Sequence, residues 1–384
     1  MPLHIADEDA IRAGRTTDVY FERTAKILQA RNIHKQVVME VRAGSLPESY
    51  EWAIFAGLEE VTALLQGLPV TAYAMPEGTV FYPGEPVLWL QGDYLDFGKM
   101  ETALLGCLCH ASGIATKAAR CRQAAGDKMV ISFGARRAHP AIAPMVERNA
   151  FIGGCDGVAT LEAARLLGVK PMGTMPHALI LLLGSAREAF LAFDEIIEPE
   201  VPRVCLVDTI GDEKFEALTA AEALGQRLSG VRLDTPGSRR GDIVHIAEEV
   251  RWELDLRGYR HVRIFLSGGI NEHEIARTRH VVDAYGVGTG ISNARAIDFA
   301  LDIVAIDGVP VAKRGKESGV KQVLVCPQCG KRQVVPWQTS TLDCPCSQEA
   351  RPLLQPLLER GQLLRDLPSP QAIRDYVLEQ VKIL

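Results

Sequence analysis

From Lys128 onward the sequence repeats one unit: a short apolar run, a glycine-bearing turn, then a stretch of helical periodicity. No other feature of the chain restricts the possible folds so tightly. The runs are Met129–Phe133, Gly154–Val158, Pro171–Met175, Arg203–Asp208, Gly230–Asp234, His261–Leu266 and Ala284–Val287. Helical text lies between them at Thr160–Leu167, Ala178–Phe190, Lys214–Leu228, Ile243–Leu256, Glu272–His280 and Ala294–Phe299. Strands that alternate with helices pair in parallel, because each helix carries the chain back to where the next strand must begin. So many units in one run predict an α/β fold, an irregular TIM-like βα barrel over 126–312. An open doubly wound sheet is the alternative.

The rest of the 384 residues divides around that run, and two or three domains are expected at this length. Residues 1–125 read as an α+β domain. It holds a helix at Tyr20–Ala30 capped by Thr17 or Asp18, a strand at Val37–Val41 and an amphipathic helix at Tyr50–Gln66. Short β-type runs between Met75 and Gly92, cut by Pro-Glu-Gly and Pro-Gly-Glu-Pro turns, suggest a small β-sandwich or half-barrel, and a long helical stretch follows at Phe97–Ala125. Residues 313–384 form a C-terminal segment: a basic polar stretch, a cysteine cluster and a closing helix from about Ser369.

Charge narrows the function classes. A net charge of −6 offers no broad basic footprint, so nucleic acid is not the expected partner. No apolar stretch approaches the ~20 residues needed to span a bilayer, and the first residues lack the basic and apolar regions of a signal peptide. Cys107, Cys109, Cys121, Cys155 and Cys205 are scattered through apolar text and read as buried thiols of a cytoplasmic protein.

In a βα barrel the chemistry collects at the carboxyl ends of the strands. The ends here read Phe133-Gly-Ala-Arg136-Arg137, Asp156-Gly-Val, Gly173-Thr174-Met-Pro-His177, Asp208-Thr209, Arg232-Leu-Asp234-Thr-Pro-Gly-Ser-Arg239-Arg240, Ser267-Gly268-Gly269 and Gly288-Thr289-Gly290. The last two turns suit a phosphate, since glycine exposes backbone N–H groups and the next helix adds the positive end of its dipole. Tight turns that need glycine for their own sake are the plainer reading. Arg136 and Arg137 carry planar forks that fit a carboxylate or phosphate, or form a solvent-facing pair. Asp156, Asp208 and Asp234, beside an anion site, suggest sugar hydroxyls, a Mg²⁺ ion or a developing cation as partner. For Asp156 a helix cap is a credible alternative. His177 is a catalytic candidate or a satisfied structural histidine.

Cys326-Pro-Gln-Cys329 and Cys344-Pro-Cys346 follow the pattern CxxC–x14–CxC. Four thiolates with no open position point to a closed, structural zinc site. A redox dithiol, iron or a [4Fe–4S] centre are the competing readings.

These segments, preceded by Thr17-Asp-Val-Tyr20, Pro76-Glu-Gly-Thr, Glu101-Thr-Ala-Leu-Leu and Ser112-Gly-Ile-Ala-Thr116, are specific in their order and spacing over nearly the whole chain. The sequence resembles the nicotinate phosphoribosyltransferases, which are type II phosphoribosyltransferases, and among them the short archaeal-type members ending in a zinc knuckle. The resemblance implies that nicotinate and phosphoribosyl pyrophosphate give nicotinate mononucleotide and pyrophosphate, with coupled hydrolysis of ATP, in NAD biosynthesis. It makes His177 the residue that ATP phosphorylates; the reaction's own chemistry adds Asp234 and Asp208 to the catalytic set, as carboxylates beside a ribose on which positive charge develops. Phe133 and Arg136 would sandwich the pyridine ring. Ser267, Gly268, Gly269, Gly288, Thr289 and Gly290 would hold the nucleotide phosphate. Asp156, Thr174, Arg232 and Arg137 join the substrate-binding set, and Tyr20 would reach in from the second subunit of a homodimer. The implied ligands are structural zinc on Cys326, Cys329, Cys344 and Cys346, Mg²⁺, ATP and phosphoribosyl pyrophosphate.

One departure stands out. Many family members read Arg-x-Asp-Ser-Gly-Asp after the fifth strand, whereas this chain reads Arg-Leu-Asp-Thr-Pro-Gly-Ser-Arg-Arg-Gly-Asp242. Quinolinate phosphoribosyltransferase, which decarboxylates and uses no ATP, and a nicotinamide-specific enzyme are the rival activities. A zinc-knuckle binding protein on an inert barrel is the rival from another class.

Overall fold

Alternating burial builds the first strand. In β1 (Gln36–Ala43), which follows α1 (Glu8–Arg12) and α2 (Val19–Ala30), Val37, Met39, Val41 and Ala43 all point to one buried face. The computed structural model describes residues 3–238, 241–346 and 350–384. It divides into two units: the chain up to Thr116 with Arg295–Leu384, and Lys117–Ala294.

In the first unit β1 is followed by β2 (Ala53–Ile54), α3 (Leu58–Leu65), β3 (Thr71–Ala74), β4 (Val80–Phe81), β5 (Pro86–Asp93), α4 (Tyr94–Phe97) and α5 (Glu101–Ala125), the last running on into the second unit. The single helix expected over 50–66 is not formed. Gly57, at φ +93°, breaks it, and a Cβ there would lie 2.8 Å from the Cys107 carbonyl oxygen. Ala53 and Ile54 instead pair with Phe81 and Val80. Asp18 stands at the N-cap of α2 but makes no side-chain cap bond; its carboxylate accepts the Thr102 hydroxyl at 3.0 Å.

The second unit runs β6 (Met129–Ser132), α6 (Ala143–Ile152), β7 (Gly157–Val158), α7 (Leu161–Leu167), α8 (His177–Leu183), α9 (Ala186–Ile196), β8 (Val204–Leu206), α10 (Glu213–Leu224), β9 (Gly230–Leu233), α11 (Ile243–Leu256), β10 (Arg263–Leu266), α12 (Glu272–Thr278), β11 (Ala284–Val287) and α13 (Thr289–Ser292). Its six strands are all parallel, in the order β7-β6-β11-β10-β9-β8. Every residue of β11 is buried, as befits a parallel strand covered on both faces. The last strand pairs with the first, so the order is that of a ring opened between β7 and β8. The parallel α/β expectation holds, but among the described residues no ladder closes a barrel.

The opening falls where a further strand was expected at Pro171–Met175. Pro171 has no N–H to give, and the backbone bond of Met172 to Val158 O (2.8 Å) continues into no ladder. Beside this gap lies a cavity of about 730 Å³ lined by Ile131, Phe133, Met172, Val204 and Phe265. Two helix expectations are also corrected. Gly184, at φ +74°, splits 178–190 into α8 and α9, and 294–299 is not helical.

After α13 the chain supplies the first unit again: β12 (Phe299–Ile306), β13 (Val309–Pro310), β14 (Lys321–Val325), β15 (Arg332–Pro336), β16 (Arg351–Pro352), β17 (Gln355–Glu359), β18 (Gln362–Leu363) and α14 (Pro370–Val381). Seven strands form an antiparallel sheet, β13-β12-β1-β5-β3-β17-β18, and β15-β14-β16 form a small one. Val41, Phe55, Leu88, Leu104, Phe299 and Leu357 share its core. Among the described residues no helix is long and apolar enough to cross a membrane.

Candidate functional site

Five strand ends of the parallel sheet bring their polar residues to one place. The end of β6 leads through Phe133 into a single 3₁₀ turn, Ala135–Arg137, that carries Arg136 and Arg137 on its exposed side. Phe133 fits because β11 has a glycine opposite: a Cβ on Gly286 would lie 2.2 Å from the Phe133 ring. Phe133, Arg136, Arg137, Arg232 and Asp234 line a pocket of about 330 Å³ together with the two glycine turns, 267–269 and 288–290. Gly268 and Gly269 sit at φ +81° and +71°, where other residues are strained.

Asp234, just past β9, is the hub. Its Oδ1 accepts the Ser267 hydroxyl at 2.6 Å. Its Oδ2 faces Nε2 of His177 at 3.5 Å and Nη2 of Arg232 at 3.8 Å. The Arg232 guanidinium donates to the Thr174 hydroxyl and lies 5.9 Å from the Phe133 ring centroid, within cation–π range. Burial disfavours its charge and lowers its pKa.

His177 opens α8, directly after Pro176. Its Nδ1 is 3.0 Å from the Thr209 hydroxyl, and its Nε2 is 4.0 Å from Asp208. The Asp208 side chain is only 2 % exposed, and no side chain among the described residues hydrogen-bonds its oxygens. Burial raises its pKa to about 6, with the Asp234 charge adding to the rise and His177 opposing it. A histidine between two carboxylates of unequal burial, beside an arginine and two glycine turns, can hold a proton or a phosphoryl group against an anion-binding floor.

Asp156 is placed differently. Its carboxylate accepts Arg122 Nη1 at 2.7 Å and the Val130 N–H at 2.8 Å, tying α5 to β6, and it does not line this pocket. Tyr20 belongs to the other unit, more than half exposed on α2, with its hydroxyl 3.3 Å from Asp18. Arg239 and Arg240 lie outside the described residues. Glu216, unremarked in the sequence, accepts three backbone N–H groups of the loop that carries Thr209. Only its position one turn into the helix after Asp208-Thr209 could have signalled it.

The cysteine cluster is a second, separate site within the first unit. The four Sγ atoms of Cys326, Cys329, Cys344 and Cys346 lie within 4.8 Å of one another. Tetrahedral zinc with Zn–S near 2.3 Å would set them about 3.8 Å apart, so the group fits such an ion. The backbone N–H groups of Cys329 and Gln328 hold the Cys326 thiol down to about 6, toward the thiolate a metal takes.

Comparison with known proteins adds to this geometry. Residues 18–112 match the family model of the quinolinate phosphoribosyl transferase N-terminal domain, and 114–302 match that of the C-terminal domain. A nicotinate phosphoribosyltransferase of Mycobacterium tuberculosis (strain ATCC 25618 / H37Rv) is 30% identical over 96% of this chain and 87% of its own. A crystal structure described as nicotinate-nucleotide pyrophosphorylase from Pyrococcus furiosus superposes with a TM-score of 0.97 at 56% identity, covering 100% of this chain and 98% of that one. Human nicotinic acid phosphoribosyltransferase shares the fold, with a TM-score of 0.77 at 23% identity over 96% of this chain and 94% of its own.

Proposed function

Because the chain belongs to the quinolinate and nicotinate phosphoribosyltransferase family, the type II phosphoribosyltransferases, we propose that its reaction is the transfer of a phosphoribosyl group to nicotinate in pyridine nucleotide synthesis. The observation that carries this reading is a pocket lined by Arg232, Asp234 and two glycine turns, with His177 at 3.5 Å from Asp234 and 4.0 Å from Asp208.

In the reaction the bond from the ribose anomeric carbon to pyrophosphate breaks, and the pyridine nitrogen of nicotinate bonds to that carbon. Positive charge develops on the sugar in between. The carboxylates of Asp234 and Asp208 are placed to stabilise it. The ring lies against Phe133, and Arg136 with Arg137 meets the nicotinate carboxylate, a charge that nicotinamide lacks. Backbone amides of 267–269 and 288–290 receive the phosphate of the product nucleotide. Tyr20 of a second subunit covers the ring in a homodimer. Thr174 acts through Arg232, and Asp156 supports β6.

His177 takes the γ-phosphoryl group of ATP on a ring nitrogen, ADP leaves, and water later returns the phosphate. This part rests on the family resemblance. Mg²⁺ would be held by Asp208, the buried carboxylate with unfilled acceptor capacity, and would neutralise phosphate charge. Structural zinc would be held by Cys326, Cys329, Cys344 and Cys346, on the archaeal-type pattern. A reducing cytoplasm suits cysteines that form no disulfide among the described residues.

The test is an assay of nicotinate, nicotinamide and quinolinate with phosphoribosyl pyrophosphate, with and without ATP. Nicotinate should be turned over fastest and be stimulated by ATP. Release of CO₂ from quinolinate, or turnover of no pyridine, would overturn the proposal.

A further inference from the structure

The loop between β8 and α10 carries Asp208 and Thr209 past His177, and the first turn of α10 holds that loop from behind. Asp212 caps the helix, its side chain accepting the Lys214 N–H at 3.0 Å. One turn on, the buried Glu216 carboxylate accepts three successive backbone N–H groups: Thr209 at 3.2 Å, Ile210 at 2.8 Å and Gly211 at 2.6 Å. Successive amides that converge in this way form a concavity for an anion, and here the chain fills it with its own side chain. Glu213, three residues earlier and so on the same helix face, accepts the hydroxyl of Thr235, the neighbour of Asp234. One helical turn therefore grips both strand ends whose carboxylates face His177.

The histidine gives this grip a consequence. Nδ1 has the Thr209 hydroxyl as its partner at 3.0 Å. Nε2 faces Asp234 at 3.5 Å and Asp208 at 4.0 Å, with Arg232 beyond Asp234. The Thr209 hydroxyl at Nδ1 fixes the rotation and tautomer of the ring, and with them which nitrogen faces the two carboxylates. That hydroxyl can stand there only while the backbone of residues 209–211 keeps its shape, and the three bonds to Glu216 impose that shape.

We propose that Glu216 is a positioning residue for His177: through the 209–211 loop it aims the Thr209 hydroxyl at Nδ1 and so fixes which ring nitrogen is presented to the acids. The consequence for catalysis rests on the reading that His177 is the group ATP acts on; the structural assignment does not.

The experiment compares Glu216→Gln, Thr209→Val and Thr209→Ser with the wild-type full chain. The ¹⁵N resonances of the His177 ring show which nitrogen carries the proton, and His177→Ala identifies them by their disappearance. In Glu216→Gln and Thr209→Val these resonances should move away from the wild-type pattern. ATP stimulation, the rate with ATP over the rate without, should fall on the order of tenfold to a hundredfold, as a misplaced group costs. Thr209→Ser, which keeps the hydroxyl, should restore both. A wild-type ring pattern in Glu216→Gln and Thr209→Val would overturn the proposal. If Glu216→Gln does not fold, the Thr209→Val and Thr209→Ser pair decides, because loss of the pattern without rescue by Ser also contradicts it. A His177→Ala protein that still responds fully to ATP would instead overturn the reading of His177, while the ring resonances would still decide the positioning role.

Discussion

The four-cysteine cluster draws its thiols from residues 326–346 alone, at the end of the β14–β15 hairpin and in the turn beyond it, whereas the strand-end site draws on residues from Phe133 to Gly290. The hairpin has little apolar matter of its own: Cys329 and Val334 are exposed, and Val323, Leu324 and Val335 supply most of what is buried. The core holds β14 through Val323, and Lys321 is bonded to Glu40, so a bound ion would order the cysteine-bearing turns and β15. The strand-end site has the opposite economy. It stands on strands such as β11 that are buried throughout, so it tolerates an arrangement that costs stability: a carboxylate, Asp208, held almost out of water, where burial disfavours its charge. The knuckle's polar groups would make its fold, and the site's polar groups lean on a fold already made.

The largest effect should come from the knuckle. Cys344→Ser, or extraction with a strong chelator, should remove about one zinc per chain and sharply speed amide exchange in β15 and the cysteine-bearing turns, while β14 and the parallel sheet keep their protection. Elemental analysis with hydrogen exchange checks this; a hairpin equally protected without metal would break the contrast. Arg136→Ala comes next. Loss of a charge-assisted contact of about 2 kcal/mol should raise the KM for nicotinate by more than tenfold and leave that for nicotinamide much closer to wild type. Equal changes for both pyridines would show that the arginine does not read the carboxylate.

The smallest effect sharpens the contrast most. Burial raises the Asp208 pKa to about 6, so the folded chain holds this proton more tightly than the unfolded one. Stability from this group is therefore fully present at low pH and is lost as pH rises toward 6. Asp208→Asn should raise the Tm at pH 7.5 by roughly 2 °C and change it little near pH 4, while slowing the reaction. A Tm lowered at pH 7.5 would mean that Asp208 supports the fold after all.

Much of this was legible where local signals and tertiary structure agree. β11 and α11 lie where the runs Ala284–Val287 and Ile243–Leu256 place them, because a fully apolar strand and a clean helical stripe have few competing solutions. Cysteine spacing picked out the four clustered thiols for the same reason. The misreadings share one cause, a decisive partner far away in sequence. Residues 50–57 have apolar text that mimics a helix, yet Ala53 and Ile54 belong against Val80 and Phe81. Phe299 begins a strand because Ala43 waits for it. Asp156 looked like its counterparts at other strand ends until Arg122 was placed beside it. Glu216 was invisible for a further reason: nothing in the sequence says that a helical glutamate will turn back onto the loop before its own helix.

The most direct test of the strand-end site as the reacting centre is the rate of nicotinate mononucleotide formation in Asp234→Asn, a change that keeps the size of the side chain and removes its charge. The rate should fall on the order of a hundredfold to a thousandfold, the cost of removing one preorganised electrostatic group, with the fold intact by circular dichroism. A rate within twofold of wild type would contradict it.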